Sequence, residues 1–381
     1  MKRLISLIKG IITLCLVPAM LSLAIGTDAR ASTGNLVLKM SVNTKAPGTI
    51  LTMSCVTSTH CVAVGRNQSN EIMVWSGNPS HWSTAIARML ILGSSIGNAA
   101  NMTSISCPST SMCVAVGNDS NNNPIFIEGN PALWTGSMMR RVAVDEGLFS
   151  VSCPSASFCV AVGKNGQNIG VEATGDPATW SAANFKLLKS AQVQFGLFSV
   201  SCSATSFCTG VGESHGLPAV ISGNPVTWSD SQIRTYDLGT SFSGVGSNQF
   251  NSVSCPTKTF CVAVGQTAKW KPVTMVGNPS TWGTANIKVY AAAPSNAALL
   301  YSVACRSASI CFANGADTQG FTANNIVLSG NPANWNSGSP QKLVLAGVPG
   351  NKSQIGSDSC NPSSCYVSAS VPTGQTELAG L

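Results

Sequence analysis

The chain has 381 residues, of which 44% are hydrophobic, 9% charged and 6% aromatic, with 36 glycines and 15 cysteines. That apolar content excludes a disordered polypeptide, and the length suits two or three ordinary domains or one large repeat domain. The formal net charge is +7; from Ser32 onward it is +4, from 17 basic and 13 acidic residues, too few and too scattered for a nucleic-acid footprint.

Residues 1–31 read as a secretory signal peptide. Lys2 and Arg3 form a basic start, Ile11 to Ile25 an apolar stretch, and Ala29-Arg30-Ala31 a small-x-small cleavage signal before Ser32. The alternative is an uncleaved membrane anchor, because residues 4–26 nearly reach spanning length. No later segment has the length and apolarity of a span. Residues 32–381 are therefore expected to form one exported domain, periplasmic, extracellular or envelope-held.

Beyond Cys15, the cysteines fall into seven close pairs: Cys55 and Cys61, Cys107 and Cys113, Cys153 and Cys159, Cys202 and Cys208, Cys255 and Cys261, Cys305 and Cys311, Cys360 and Cys365. Zinc sites need tighter spacing and converging ligands, and only His60, His81 and His215 are available. Seven local disulfides in an oxidising compartment is the reading adopted. Each closes so short a loop that it is worth about 2 kcal/mol on the chain-entropy model.

The pairs mark a repeat that starts near residues 50, 102, 148, 197, 250, 300 and 355. Each unit opens with alternation ending in Ser-Cys, as in Gly147-Leu148-Phe149-Ser150-Val151-Ser152-Cys153. A polar turn leads into Cys-Val-Ala-Val-Gly, as in Cys159 to Gly163. A variable loop and an apolar run follow, then Gly-Asn/Asp-Pro-x-x-Trp, in six copies ending at Trp82, Trp134, Trp180, Trp228, Trp282 and Trp335. A fourth apolar stretch closes the unit, as in Ile287-Lys288-Val289-Tyr290. Alternation, β-branched residues and Gly/Asn/Pro punctuation make four short strands, A to D. Nothing sustains a helical period. The expected fold is all-β: a seven-bladed β-propeller with four antiparallel strands per blade. The seventh repeat stops after strand C, while a spare strand, residues 35–42, precedes the first. Pairing of that N-terminal strand with the last blade is expected to close the ring and remove open edges.

The Cys-x5-Cys-x-Ala-Val-Gly core of each unit resembles that of secreted bacterial β-propeller repeat proteins, across nearly all of residues 35–381. More remotely, the turn ending at Trp180 is similar to the Asp-box of sialidase-like propellers. Asp176, Thr179 and Trp180 match in kind, whereas the leading Ser and inner Gly are missing and the spacing is one residue shorter. The resemblance implies a structural turn between third and fourth strands and no activity.

The repeated residues read as structural: small Ser at the crowded axis, Trp covering a blade edge with its indole N–H partnered, Asn-Pro fixing the C–D turn. A ring of six sugar-stacking Trp is the competing reading. Asp358 departs from the pattern, standing where other copies carry Val, Ile or Met; a register shift at the closing blade explains it, or a place on the axial channel.

Up-and-down strand order places the staples and Gly-Asn-Pro turns on one rim. The variable B–C and D–A loops share the other, the usual layout for binding. The B–C loops, residues 66–70, 118–123, 164–168, 213–216, 266–271 and 316–322, are rich in Asn, Ser, Gly and Gln. They supply the candidate binding residues Arg66, Asp119, Lys164, Glu213, His215, Lys269, Trp270, Lys271 and Asp317. Lys269-Trp270-Lys271 is the best exposed anchor, since Trp is favoured at binding hot spots. Residues 118–123 offer oxygen donors that weakly suit Ca²⁺, without the acid pattern of an EF-hand; otherwise no cofactor is called for.

No catalytic set emerges. Three equivalently placed Arg are lacking, no two carboxylates pair by position, and Glu213-Ser214-His215 reads as a solvated loop. Gly93-Ser94-Ser95-Ile96-Gly97 has the letters of a nucleophile elbow but no following helix. The expected function is a monomeric, non-catalytic binding or scaffold protein that recognises a glycan or a cell-surface protein through the variable rim. The alternative is a carbohydrate-active enzyme, a sialidase-like hydrolase or lyase, at the channel mouth.

Overall fold

Each Cys-Val-Ala-Val run is buried on both faces, and that double burial organises the whole chain. In the third repeat, Cys159 and Ala161 pack against Val114 and Val116 of the second, while Val160 and Val162 pack against Leu197 and Val200 of the fourth. At the face toward the second blade, two branched residues thus meet two small ones. Burying a valine completely is worth about 1.5–3 kcal/mol. A two-sided apolar strand cannot stand alone, so the repeats stack.

The computed structural model describes residues 36–38, 40–43, 48–93, 96, 100–188, 195–239, 246–290, 297–317, 324–337, 340–345, 354–370 and 376–380. The leader and most of the Gly-x-Ser-x-Gly segment lie outside the described residues. Strands β1 (Leu36–Leu38) and β2 (Met40–Asn43) precede the first repeat. The first blade comprises β3 (Thr49–Thr57), β4 (His60–Arg66), β5 (Ile72–Gly77) and β6 (Ile86–Met89). The second has β7 (Asn101–Ser109), β8 (Met112–Asn118), β9 (Pro124–Gly129) and β10 (Arg140–Arg141). In the third are β11 (Glu146–Ser155), β12 (Phe158–Asn165), β13 (Gly170–Gly175) and β14 (Phe185–Leu188). The fourth holds β15 (Phe195–Ala204), β16 (Phe207–Ser214), β17 (Leu217–Gly223) and β18 (Arg234–Thr235). The fifth is built from β19 (Gln249–Thr257), β20 (Phe260–Gln266), β21 (Pro272–Gly277) and β22 (Ile287–Val289). The sixth contains β23 (Ala298–Ser307), β24 (Ile310–Asp317), β25 (Asn324–Gly330) and β26 (Gln341–Leu345). Last come β27 (Gln354–Cys360), β28 (Cys365–Ser370) and β29 (Thr376–Gly380).

The fold is an all-β propeller, and the expected seven-bladed ring is corrected to six blades, each a four-stranded antiparallel sheet from one repeat, with the chain ends joined in a further composite sheet. Among the described residues, six repeats make complete blades, each with its own four antiparallel strands. The remaining sheet, in the order β2-β29-β28-β27, is a composite of the two chain ends. Among the described residues the last repeat supplies three strands to this sheet, and β2 supplies the fourth. The N-terminal segment is also not a single closing strand. It divides: β1 adds in parallel to β26 and makes the sixth sheet five-stranded, and β2 adds antiparallel to β29. Two neighbouring sheets each present an unpaired edge, and one extended segment satisfies both.

The inner strands β3, β7, β11, β15, β19, β23 and β27 touch one another in a closed circle. Serine hydroxyls link them. Ser104 and Ser106 accept from the amides of Val151 (3.1 Å) and Cys153 (3.0 Å) in the next blade. Ser150 and Ser152 do the same for Val200 and Cys202, Ser199 and Ser201 for Val253 and Cys255, and Ser252 and Ser254 for Val303 and Cys305. Single bonds run from Cys107 to Ser54 and from Asp358 to Ser302, and Cys55 to Ser359 (2.8 Å) closes the circle. The axial serines are small because the axis is crowded, but their work is to satisfy a backbone donor on the adjacent blade.

The Gly of Cys-Val-Ala-Val-Gly sits opposite a bulge. Leu148 pairs with Gly163 and Ser150 with Val162, which leaves Phe149 unpaired. A Cβ on Gly163 would stand 1.8 Å from the Gly147 carbonyl oxygen, and the equivalent glycines show 1.8–2.0 Å. All seven disulfides are formed, with Cα separations of 4.0–4.1 Å. Such bonds belong to an oxidising compartment. No helix among the described residues is long and apolar enough to cross a membrane.

Ser152→Ala should cost about 1–3 kcal/mol, because it strands the Cys202 amide inside an interface. Gly163→Ala should cost more, since backbone must move. Denaturant unfolding of the oxidised protein measures both; a neutral Ser152→Ala would remove the ladder from any role in stability.

Candidate functional site

The staple rim is occupied by structural groups. Asn78, Asn130, Asp176, Asn224, Asn278 and Asn331 each accept the amide two residues on, at 3.0–3.2 Å, and five of the Gly residues before them have φ between 89° and 127°. The six motif Trp are at most 5% exposed, which removes them as a ring of sugar platforms. The indole N–H of Trp134 donates to the Glu128 carbonyl (3.1 Å) and that of Trp335 to Ser329 (3.0 Å). Those of Trp82, Trp180, Trp228 and Trp282 have no partner, against the expectation for all six.

A second lock on this rim escaped the sequence reading. The outer-strand cation of one blade caps the Trp turn of the next. Arg140 donates to the carbonyls of Pro177 (2.8 Å), Ala178 (2.5 Å) and Trp180 (3.1 Å). Lys186 reaches the Trp228 carbonyl, and Arg234 those of Pro279, Ser280 and Trp282. The signal was present as a Lys or Arg six residues after the Trp in five repeats: Arg88, Arg140, Lys186, Arg234 and Lys288.

Two carboxyls are buried between blades. Asp358 pairs with Val367, in the register Val151 holds in the third blade, so neither a register shift nor the open channel accounts for it. It accepts from the Asn314 amide, and Asn314 itself stands where other blades carry Val. Burial holds the Asp358 carboxyl well above the usual range, opposed by hydrogen bonds from Asn314 and Ser302. Glu172 on β13 is 1% exposed. Burial pushes it up to about 8, with nearby Lys186 opposing. These are polar replacements inside the stack, remote from any rim cleft.

The expected binding residues divide. Arg66 is spent on the next blade, donating to the Ala100 carbonyl (2.7 Å) and Asn101 Oδ1 (3.2 Å). Asp119 is 7% exposed and ties its own hairpin, accepting the amides of Asn121 and Asn123 at 2.8 Å and Arg141 Nε at 2.5 Å. Burial opposes its ionisation, but these donors outweigh burial and lower its pKa. With both oxygens already engaged by N–H donors, the hairpin does not fit a calcium ion. No three His, Cys, Asp or Glu converge as a metal set among the described residues. Asp317 is 1% exposed and ends β24.

Lys164, Glu213 and His215 do converge. They line a cleft of about 60 Å³ between the third and fourth blades, with Asn168, Gly196 and Phe198. Lys164 Nζ donates to Asn168 Oδ1 (2.8 Å) and lies 5.7 Å from the Phe198 ring centre. Phe198 is the bulge residue of its blade, and its ring centre is 6.3 Å from that of Phe149. Glu213 accepts the Gly216 amide at 2.6 Å. Sequence reading missed both Phe residues, which look like ordinary alternation until the bulge leaves them unpaired in their strands.

The B–C turns carry a further signature. Asn70, Asn122 and Asn168 take φ of 59–62°, the left-handed region that Asn tolerates. His215 (51°) and Trp270 (56°) hold the same conformation. Trp270 is 40% exposed between exposed Lys269 and half-buried Lys271.

Solved structures with this fold include YCF48 bound to a D1 peptide (12% identity, TM-score 0.56, covering 92% of this chain and 99% of that one). YCF48 from Cyanidioschyzon merolae gives 9% identity and a TM-score of 0.56 over 89% of this chain and 98% of that one. The Cps50 (Swd1) β-propeller domain of Myceliophteria thermophila gives 10% and 0.56, over 89% and 98% respectively. These likenesses establish the propeller fold. No family model matches the chain, so the Asp-box likeness gains no support, and no curated protein matches it.

Because the folded state keeps protons on Glu172 and Asp358 that the unfolded chain releases near pH 4, stability should fall as pH rises. For Glu172 the window runs from about pH 4.5 to about pH 8, and the loss is complete above it. Glu172→Gln should flatten part of that slope in unfolding free energy, and adding Asp358→Asn should flatten more. A wild type that gains stability between pH 5 and 8 would contradict the assignment.

Proposed function

We propose that this chain is an exported, non-catalytic propeller that binds a cell-surface protein through the rim bearing its B–C turns. One observation carries the reading: Lys164, Glu213 and His215, from two separate blades, are gathered around an aromatic floor at that rim. Such a cleft has the few convergent polar groups and apolar base that recognition sites share. The leader and seven disulfides support export. The carboxyls with raised pKa, Glu172 and Asp358, lie inside blade interfaces, which favours binding over hydrolysis. That a propeller of this shape has been solved with a bound peptide is consistent with a protein ligand.

A second reading rests on Trp270. A bulky residue held at positive φ is costly, and here it presents an indole flanked by Lys269 and Lys271, a platform suited to a glycan.

The test uses the oxidised chain from Ser32 onward, against a glycan array and, by cross-linking, against the intact cell surface. A protein ligand should be lost about tenfold, or 1.4 kcal/mol, in the Lys164→Met/His215→Asn double variant and retained in Trp270→Gly. A glycan hit lost only in Trp270→Gly would favour the second reading. No ligand of either kind for folded protein would end both.

A further inference from the structure

The cleft between the third and fourth blades has chemistry specific enough to name the group it takes, given the binding role proposed above. Its cationic side is Lys164 Nζ, which uses one of its donor directions on Asn168 Oδ1 at 2.8 Å. Asn168 is thereby oriented, with its amide N–H groups left to donate. His215 stands across from them, exposed, with Nδ1 3.3 Å from Ser214 Oγ and Nε2 on the far side of the ring. The cleft's one carboxylate, Glu213, is turned to its own hairpin and accepts the Gly216 amide at 2.6 Å. Among the described residues, no carboxylate forms an ion pair with Lys164.

The floor is shaped by a missing side chain. A Cβ on Gly196 would lie 3.2 Å from Lys164 Cδ and 3.5 Å from Phe198 Cε1, so glycine lets the lysine stem lie against the ring and keeps the cleft open. The cleft is about 60 Å³, and the Phe198 and Phe149 rings, 6.3 Å apart between centres, offer an apolar surface beside it for the remainder of a ligand.

We infer that this cleft binds a carboxylate carried on an apolar stem, supplied by a polypeptide, either as its C-terminus or as an acidic side chain beside a hydrophobic residue. Lys164, Asn168 and His215 donate to the anion, and Phe198 with Phe149 receives the stem. His215 holds at φ 51° the turn position that Asn70, Asn122 and Asn168 hold in the first three blades.

The experiment measures fluorescence anisotropy of labelled Ala/Phe tetrapeptides with the oxidised chain. One pair ends in Phe as free acid or amide; a second, amidated pair carries internal Glu or Gln beside Phe. The expected result is at least tenfold tighter binding of the charged member of one pair or both, and which pair responds identifies the source. That preference should vanish in Lys164→Met and in Gly196→Val and shrink in His215→Asn, which keeps the turn conformation. Each variant is admitted only with wild-type near-UV circular dichroism. Equal binding of charged and neutral members, a preference that survives Lys164→Met, or no peptide binding at all overturns the inference. Rim-dependent binding to the cell surface without a carboxylate preference would leave the broader reading standing and this one refuted.

Discussion

The serine hydroxyl that accepts a backbone amide from the neighbouring inner strand is the contact on which the rest of the architecture depends. Strands around a propeller axis converge too closely for large side chains and too obliquely for ordinary ladders. Their amides are nonetheless buried, and a buried donor without a partner costs about 1–3 kcal/mol. Ser at alternate positions resolves this, because its oxygen reaches across the gap at 2.8–3.2 Å while its bulk fits the axis. The bonds all run in one direction, from the amide of one blade to the hydroxyl of the blade before it. Cys55 to Ser359 completes the circuit between the last repeat and the first.

Outward from that ring, each interface is secured by a different chemistry. Val on one face meets Ala and Cys on the other in the middle strands. At the periphery, a Lys or Arg reaches over the Trp turn of the following blade and caps its carbonyls. Arg140, Lys186 and Arg234 thus serve the stack. One break in the pattern is a bonded pair: Asn314 and Asp358 replace two apolar residues that face each other across one interface. Glu172 breaks it alone, and its buried Oε2 has no hydrogen-bond partner.

The proposed recognition surface lies opposite the staple rim, on the rim that carries the B–C turns. Among the described residues, five B–C turns share one feature, a non-glycine residue at positive φ: Asn70, Asn122, Asn168, His215 and Trp270. The turn at His215 is a two-residue hairpin and the other four are longer. The bulge opposite each conserved-position glycine adds a second variable element: Phe149 and Phe198 there give the third and fourth blades an aromatic shelf.

By itself the sequence determined the strand period, the disulfide pairing, the propeller class and the assignment of loops to two rims. These follow from local spacing, which repeats and so can be read without knowing what touches what. Only the tertiary structure decided how the N-terminal segment divides between two sheets, because both edges are equally available until their positions are known. It also decided that Arg66 is spent on the backbone of the next blade and Asp119 on its own hairpin and Arg141, whereas Lys164, Glu213 and His215 meet. Those five look alike in the sequence, each a polar residue near a hairpin. What separates Arg66 from the cleft residues is the blade that stands beside each one, and that is a relation between repeats about 50 residues apart, set by the closing of the ring.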